Sequence, residues 1–371
     1  MVTPEFWKGK SVLVTGHTGF KGGWLSLWLQ KMGASVTGYA LNPGEPPGLF
    51  EAARIGQGMR SVIADVRDAA RVEAAFSESR PQIVFHLAAQ PLVRYSYAQP
   101  LVTYSTNVMG TAHVLEAARK TAGVKVVVNV TSDKCYENRE WVWGYRETDP
   151  MGGYDPYSSS KGCAELVTAA YRSSFFNPAD YGRHGVAVAS ARAGNVIGGG
   201  DWSEDRLVPD FIRAIYSGEP LFVRNPSAIR PWQHVLEPVS GYLLLAEKLW
   251  HDGPRYSEAW NFGPGDESAE TVETVVTALA RLWGNESKWR SGGSASQHHE
   301  AQYLKLDCSK ARVMLGWAPH WNLETTLAST VDWYRMHKAG KEDMRSFSLR
   351  QIDTYKPSEA RNESPESANL E

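Results

Sequence analysis

The stretch "SVLVTGHTGFKGGWLSLWLQKMG", residues 11–33, constrains the fold more than any other part of the chain. Five residues suited to a buried strand lead into Gly16, Gly19 and Gly22, and a helical stretch follows at once. Glycines spaced G-x-x-G-x-x-G allow a tight turn and bring backbone N–H groups close to a bound anion, and the N-terminus of the following helix adds its positive dipole end. Glycines also simply end strands, and this spacing differs from the G-x-G-x-x-G of ordinary Rossmann dehydrogenases. Its place between strand and helix favours a site for the pyrophosphate of a dinucleotide.

The alternation continues. Strands are predicted at 11–15, 35–40, 61–64, 83–87, 125–130 and 185–191, with helices at 22–32, 69–78, 103–121 and 158–174 between them. Near-continuous Val/Ile runs suit strands covered on both faces. The expected fold class is therefore α/β, a Rossmann-type doubly wound parallel sheet. After about residue 193 the regular pattern gives way to "GGGDWSEDRLVP" and "RNPSAIRPWQH", read as a smaller, irregular α/β lobe that supplies a pocket wall. The expected organisation is a dinucleotide-binding domain over 1–192, with the chain returning to its sheet within 233–262. The second lobe comprises 193–232 and 263–345, and a polar tail over 356–371 is expected to be disordered.

Charge excludes some functions. Lys and Arg total 39 against 41 Asp and Glu, so no global field recruits nucleic acid or an anionic membrane. Cys135, Cys163 and Cys308 are far apart with no CxxC pair, which argues against disulfides or zinc and fits a reducing cytoplasm. His298, His299 and Glu300 are adjacent and lack ligand spacing, so they read as a charged loop and no metal is expected. No signal peptide and no apolar run near the ~20 residues of a membrane span is read.

Chemistry concentrates in two stretches. "YDPYSSSKGCAE" puts Tyr157 and Lys161 four residues apart on one helix face. An ammonium beside a phenol favours the phenolate, a usable base. "NVTSDKCY" brings Thr131, Ser132, Asp133 and Lys134 out at the carboxyl end of a strand, where open α/β sheets bind ligands. Asp65, after the third strand, is read either as an acceptor for the adenine amino group or as the N-cap of the next helix. His17 and Lys21 sit inside the glycine turn and are candidates to touch cofactor or diphosphate. The second-strand end, "TGYALN", carries neither acid nor arginine and leaves NAD versus NADP open there.

In order, these pieces resemble the extended short-chain dehydrogenase/reductase superfamily, whose members act on nucleotide sugars. They are the Gly16–Gly22 turn, "DVRD" at Asp65, "HLAAQ" at 86–90, "STNVMGT" around Asn107, Ser132 and Tyr157-x-x-x-Lys161. "GHTGFKGGWLSLWL", "TSDKCYENREWVWGYRE", "MGGYDPYSSSKGCAE", "RAGNVIGGGDW" and "IRPWQHVLEP" narrow the resemblance to the CDP-D-glucose 4,6-dehydratase family.

The resemblance implies NAD, recycled within each turnover, and CDP-glucose as substrate. The product would be a 4-keto-6-deoxy sugar still on its nucleotide, a supply of deoxysugar for bacterial surface polysaccharide such as lipopolysaccharide O-antigen. It implies cofactor contacts from Gly16, Gly19, Phe20, Gly22, Asp65, Val66, Leu87, Ala88, Ala89 and Asn107, with Tyr157 and Lys161. It assigns Tyr157 as base for the C4 hydroxyl, Lys161 to lower its pKa and hold the nicotinamide ribose, and Ser132 to hydrogen-bond O4. Asp133 becomes the acid for the departing C6 hydroxyl.

Lys134 stands where related dehydratases carry a glutamate as the C5 base, and it can serve only if neutral. The alternatives are orienting water or substrate, stabilising an enolate, or an ion pair with Asp133, Glu137 or Glu140. Asn195, Arg206, Arg224, Arg230 and Trp232 are the candidate substrate contacts, with Trp202 as a stacking or packing residue. A homodimer or homotetramer, paired through the helices at 103–121 and 158–174, is expected by analogy of fold. A C4 epimerase on the same fold and a catalytically silent dinucleotide-binding scaffold are the rival readings.

Overall fold

A computed structural model describes residues 1–44, 48–265, 268–284, 289–292 and 303–355. The His298–Glu300 cluster and the 356–371 tail lie outside the described residues. Among those described, seven strands form the central sheet: β1 (Ser11–Thr15), β2 (Ser35–Ala40), β3 (Arg60–Ile63), β4 (Ile83–His86), β5 (Val126–Val130), β6 (Ala187–Arg192) and β7 (Ala259–Asn261). Their order across the sheet is β3-β2-β1-β4-β5-β6-β7, and every pairing is parallel. The order reverses between β1 and β4, which opens a crevice at the carboxyl ends of the strands.

Helices α1 (Phe20–Lys31), α2 (Ala69–Ser79), α3 (Gly110–Lys120), α4 (Pro156–Ser174), α5 (Leu236–His251) and α6 (Leu323–Ala339) do most of the covering. Successive strand residues point to opposite faces. Val12, Val14, Ile83, Phe85, Val126 and Val128 join Trp24 and Trp28 of α1 and Val239 and Leu243 of α5 in one core. Leu13, Val84, Val127 and Val188 meet Val72 and Phe76 of α2 and Val114 and Leu115 of α3 in the other. Each such side chain contributes roughly 1.5–3 kcal/mol by leaving water. That two-sided burial is why these strands show no apolar/polar alternation.

The helix expected over 103–121 is broken. Pro100–Tyr104 is followed by one wide, π-type turn, Ser105–Met109, before α3 begins. The turn carries Asn107 inward, where its side chain accepts from Gln90 N at 2.8 Å and donates to Gln90 O at 3.1 Å and Ser160 Oγ at 2.8 Å. Polar bonds to two other segments thus fix a local geometry that helical periodicity does not encode.

Beyond β6 the chain builds two-residue and three-residue strand pairs: Val196–Ile197 with Gln233–His234, Leu221–Val223 with Trp289–Ser291, and Ile229–Pro231 with Ala269–Thr271. Trp202 packs edge-on against Tyr216 and Tyr334 and is a packing residue. Among the described residues no helix is long and apolar enough to cross a membrane, and no cluster of three His, Cys, Asp or Glu could hold a metal.

Candidate active site

One large cavity, ≈1430 Å³, opens at the carboxyl ends of the strands and runs from the glycine turn to the second lobe. Gly16 has φ +78°, and a Cβ there would lie 2.8 Å from Ala88 N. A Cβ on Gly22 would lie 2.1 Å from Gly16 O. The turn is therefore closed backbone against backbone, and only glycine fits at either place. Gly16, Gly19, Phe20 and Gly22 line the cavity with Leu87, Ala88 and Ala89 from the end of β4.

Two residues of the turn part company. His17 is fully buried, with Nε2 at 2.7 Å from Ser61 Oγ, and its ring occupies the place of a Gly38 side chain. It does not line the cavity, so the expectation that it touches cofactor or diphosphate gives way to a packing role. Burial holds its imidazole down at about 4. Lys21 does line the cavity, and its Nζ donates to Tyr242 OH of α5 at 3.4 Å. Burial first, then repulsion from Lys161 and Arg206, opposed by Asp133, brings its ammonium down to about 7.

Asp65 and Val66 also line the cavity. The Asp65 carboxylate accepts from Arg67 N and Nε, each at 2.9 Å, and from Arg67 Nη2 at 2.6 Å. Those bonds hold it below the ordinary carboxylate value. Asp68, three residues on, is the N-cap of α2, accepting from Arg71 N at 3.0 Å. The capping alternative for Asp65 is thereby corrected. Asn107 is buried away from the cavity and reaches it only through Gln90, which lines it.

The end of β5 supplies the reactive cluster. Ser132 Oγ accepts from Lys134 N at 3.2 Å and donates to Asp133 Oδ1 at 3.0 Å. Asp133 is buried, pressed so close to Gly194 that a Cβ on that glycine would fall 1.8 Å from Oδ2. Beneath it, Glu165 of α4 accepts from Thr131 and Ser190 and pairs with buried Arg192 at 2.8 Å. Lys134 is exposed and lines the cavity. No ion pair joins it to Asp133, Glu137 or Glu140 among the described residues, and Glu137 pairs with Arg139 instead.

Opposite stands the first turn of α4. Asp155 caps it by accepting from Ser158 N at 2.9 Å, Pro156 opens it, and Tyr157 N donates to Ser96 Oγ at 3.1 Å. Tyr157 and Lys161 are buried and face the cavity together. Burial lowers the Lys161 ammonium to about 8. Burial also raises the Tyr157 phenol to about 12, opposed chiefly by hydrogen bonding from Ser132. In the bare chain desolvation therefore outweighs the phenolate stabilisation expected from the Tyr–Lys spacing.

The second lobe brings Asn195, Arg206, Arg224, Arg230 and Trp232 to the same cavity. Asn195 adopts a left-handed backbone, φ +48°. Arg206 pairs with buried Asp201 at 2.7 Å and is no free surface charge. Arg224 pairs with Asp205 at 3.1 Å, and Arg94 meets the same carboxylate from across the cavity at 3.1 Å. Sequence reading missed Gly194, Tyr242, Arg94 and Asp205. Gly194 and Asp205 lie inside stretches the sequence singles out, but each of the four acts through a neighbour far along the chain.

A doubly wound sheet with a Tyr-x-x-x-Lys pair at the strand ends, opening into a cavity of this size, defines the short-chain dehydrogenase/reductase class. The chain belongs to the GDP-mannose 4,6 dehydratase family, whose sequence profile matches residues 13–330. It is 57% identical over 355 residues to the CDP-glucose 4,6-dehydratase of Salmonella typhimurium, covering 96% of this chain and 98% of that protein. It is 30% identical to a dTDP-glucose 4,6-dehydratase of Streptomyces griseus, over 70% of this chain and 74% of that one.

Among solved structures it resembles the Thermus thermophilus UDP-glucose 4-epimerase complex with NAD, with TM-score 0.75, 26% identity and coverage of 87% and 98% of the two chains. It also resembles a double mutant of dTDP-glucose 4,6-dehydratase from Streptomyces venezuelae with NAD bound, with TM-score 0.74, 25% identity and coverage of 90% and 99%.

Proposed function

We propose that this chain dehydrates CDP-D-glucose to CDP-4-dehydro-6-deoxy-D-glucose and water, with NAD recycled in each turnover. The observation that carries the chemistry is the meeting of Ser132, Asp133, Lys134, Tyr157 and Lys161 in one cavity. The nucleotide rests on the 57% identity to a CDP-glucose 4,6-dehydratase over almost the whole chain.

The glycine turn fits NAD, because it leaves backbone N–H groups at the start of α1 with no side chain in the way of a pyrophosphate. Gly16, Gly19, Phe20 and Gly22 would hold the diphosphate. Asp65 and Val66 would hold the adenosine, and Leu87, Ala88 and Ala89, with Asn107 behind Gln90, would wall the nicotinamide side. When bound, NAD supplies a hydride acceptor for C4 and a hydride donor for C6.

The chain's own residues move the protons. Tyr157 takes the C4 hydroxyl proton, Lys161 favours its phenolate and bonds the ribose, and Ser132 holds O4. The new ketone acidifies C5. Lys134, exposed in the cavity wall beside Asp133, is the residue placed to take the C5 proton. Asp133 protonates the departing C6 hydroxyl. Asn195, Arg206, Arg224, Arg230 and Trp232, in a lobe drawn from 193–232 and 263–345, grip the nucleotide, the arginine forks suiting diphosphate oxygens.

A C4 epimerase shares the Tyr–Lys pair but needs no acid beside C6, and the buried Asp133 speaks against it. The large open cavity speaks against a silent scaffold. Exposed Leu101, Met109 and Leu166 on the helices around α3 and α4 support pairing of two chains there, as a homodimer or within a homotetramer. The compartment fitting free thiols and a sugar-nucleotide substrate is the cytoplasm, and the product would feed deoxysugars into O-antigen-type polysaccharide.

Mass spectrometry of products from CDP-, dTDP-, GDP- and UDP-hexoses tests the proposal. We expect loss of one water from CDP-glucose without net NADH. Unchanged mass with altered stereochemistry would make the protein an epimerase.

A further inference from the structure

A second, small cavity lies behind Asp133, lined by Gly194, Gln233, Gly263, Lys305 and Leu306 among others. The centre of a water molecule can reach ≈10 Å³ of it, the room of about one water. Asp133 and Gly194 line both this chamber and the main cavity, so the Asp133 carboxylate stands in the wall between the two. It fits there because residue 194 has no side chain: a Cβ would fall 1.8 Å from Asp133 Oδ2.

Gln233 is 2% exposed, and its amide is fixed: Nε2 donates to Gly194 O at 3.1 Å and to Phe262 O at 3.0 Å. Both donors are used, so Oε1 cannot be exchanged for Nε2 by a flip of the amide. Oε1 is buried and has no hydrogen-bond partner among the described residues. A buried acceptor of this kind calls for a donor, since leaving it unmet is costly.

The reaction produces such a donor at this place. As the C5 proton passes to Lys134, the C6–O bond breaks and the Asp133 proton goes to the departing oxygen. One water is formed and Asp133 is left as a carboxylate. Water has two O–H donors, and the chamber wall now offers two acceptors, Gln233 Oε1 and Asp133.

We propose that this chamber receives the water eliminated from C6, held by donation to Gln233 Oε1 and to the Asp133 carboxylate, which clears C6 for the returning hydride while the sugar still fills the main cavity. The proposal rests on the dehydratase reading above. Gln233 and Gly194 act through that water and are positioning residues.

Two variants test it. Gln233→Met removes the acceptor together with the two Nε2 bonds to Gly194 O and Phe262 O, so a second variant must spare them. Gly263→Ala narrows the chamber while leaving Gln233 intact, its methyl meeting Cys308 Sγ at 3.3 Å and Leu306 Cβ at 3.5 Å. Stopped-flow absorbance at about 340 nm with CDP-glucose should show NADH appearing at the wild-type rate in both. Its decay should slow about tenfold, the effect of one lost hydrogen bond, with CDP-glucose KM unchanged.

High-resolution crystallography of the wild type should show this water between Gln233 Oε1 and Asp133 in the product complex and not in the CDP-glucose complex, and should show it displaced in Gly263→Ala. A wild-type product complex with no water there, or the same NADH decay in both variants as in the wild type, overturns the chamber proposal. Failure of the wild type to dehydrate CDP-glucose would instead overturn the function it rests on.

Discussion

At the scale of single residues, Lys134 is the departure that most needs explaining. It emerges beside Asp133 from the same strand end, yet it is exposed while Asp133 is buried. A base proposed for C5 acts only after C4 has been oxidised. Lys134→Met is therefore expected to keep C4 oxidation, seen as NADH on mixing with CDP-glucose, and to lose about 100-fold or more in dehydrated product. An unchanged steady-state rate would remove Lys134 from the chemistry. Tyr157, Lys161, Ser132 and Asp133 each belong to a local motif legible in the sequence, and all four line one cavity. Sequence misplaced His17, whose neighbours Ser61 and Gly38 come from other strands.

At the scale of elements, the first turn of α4 positions Tyr157, the proposed base. Pro156 presets the backbone, and the Asp155 carboxylate satisfies the Ser158 N–H that the helix leaves unpaired. Asp155→Ala is expected to cost ~0.5–2 kcal/mol in urea denaturation. The Tyr157 ring should lose its place with the frayed turn, and kcat should fall further than KM rises. Equal stability of variant and wild type would show that the cap is dispensable. The break before α3 belongs to this scale too: its bonds from Asn107 to Gln90 and Ser160 join three segments, and no window of sequence contains them.

Across the whole molecule, the cores keep several histidines neutral. Burial lowers His17 to about 4 and His86 and His234 to about 3, below the 6.5 of an exposed imidazole. Between those values the unfolded chain binds more protons than the folded one. Their contribution to stability is thus complete above about 6.5 and is lost as pH falls through 4 for His17 and through 3 for the other two. Unfolding free energies from urea titrations should decline across that window, by about 3 kcal/mol on account of His17 alone. His17→Gln should flatten the decline whatever its effect at pH 7, and an unaltered slope would refute the assignment.

The strand–turn–helix opening, the parallel sheet, the Tyr–Lys pair and the strand-end Ser132 and Asp133 were all determined by sequence alone. Each leaves a signal legible within about a dozen residues: glycine spacing, helical periodicity, apolar runs. Tertiary structure alone decided which charged groups meet at the cavity, where Asp205 draws Arg94 and Arg224 together. It also decided that Gly194 makes room for Asp133 and that burial raises Tyr157. Electrostatics and close packing depend on distance in space, and the chain brings those distances into being only when the lobe after β6 folds over the sheet.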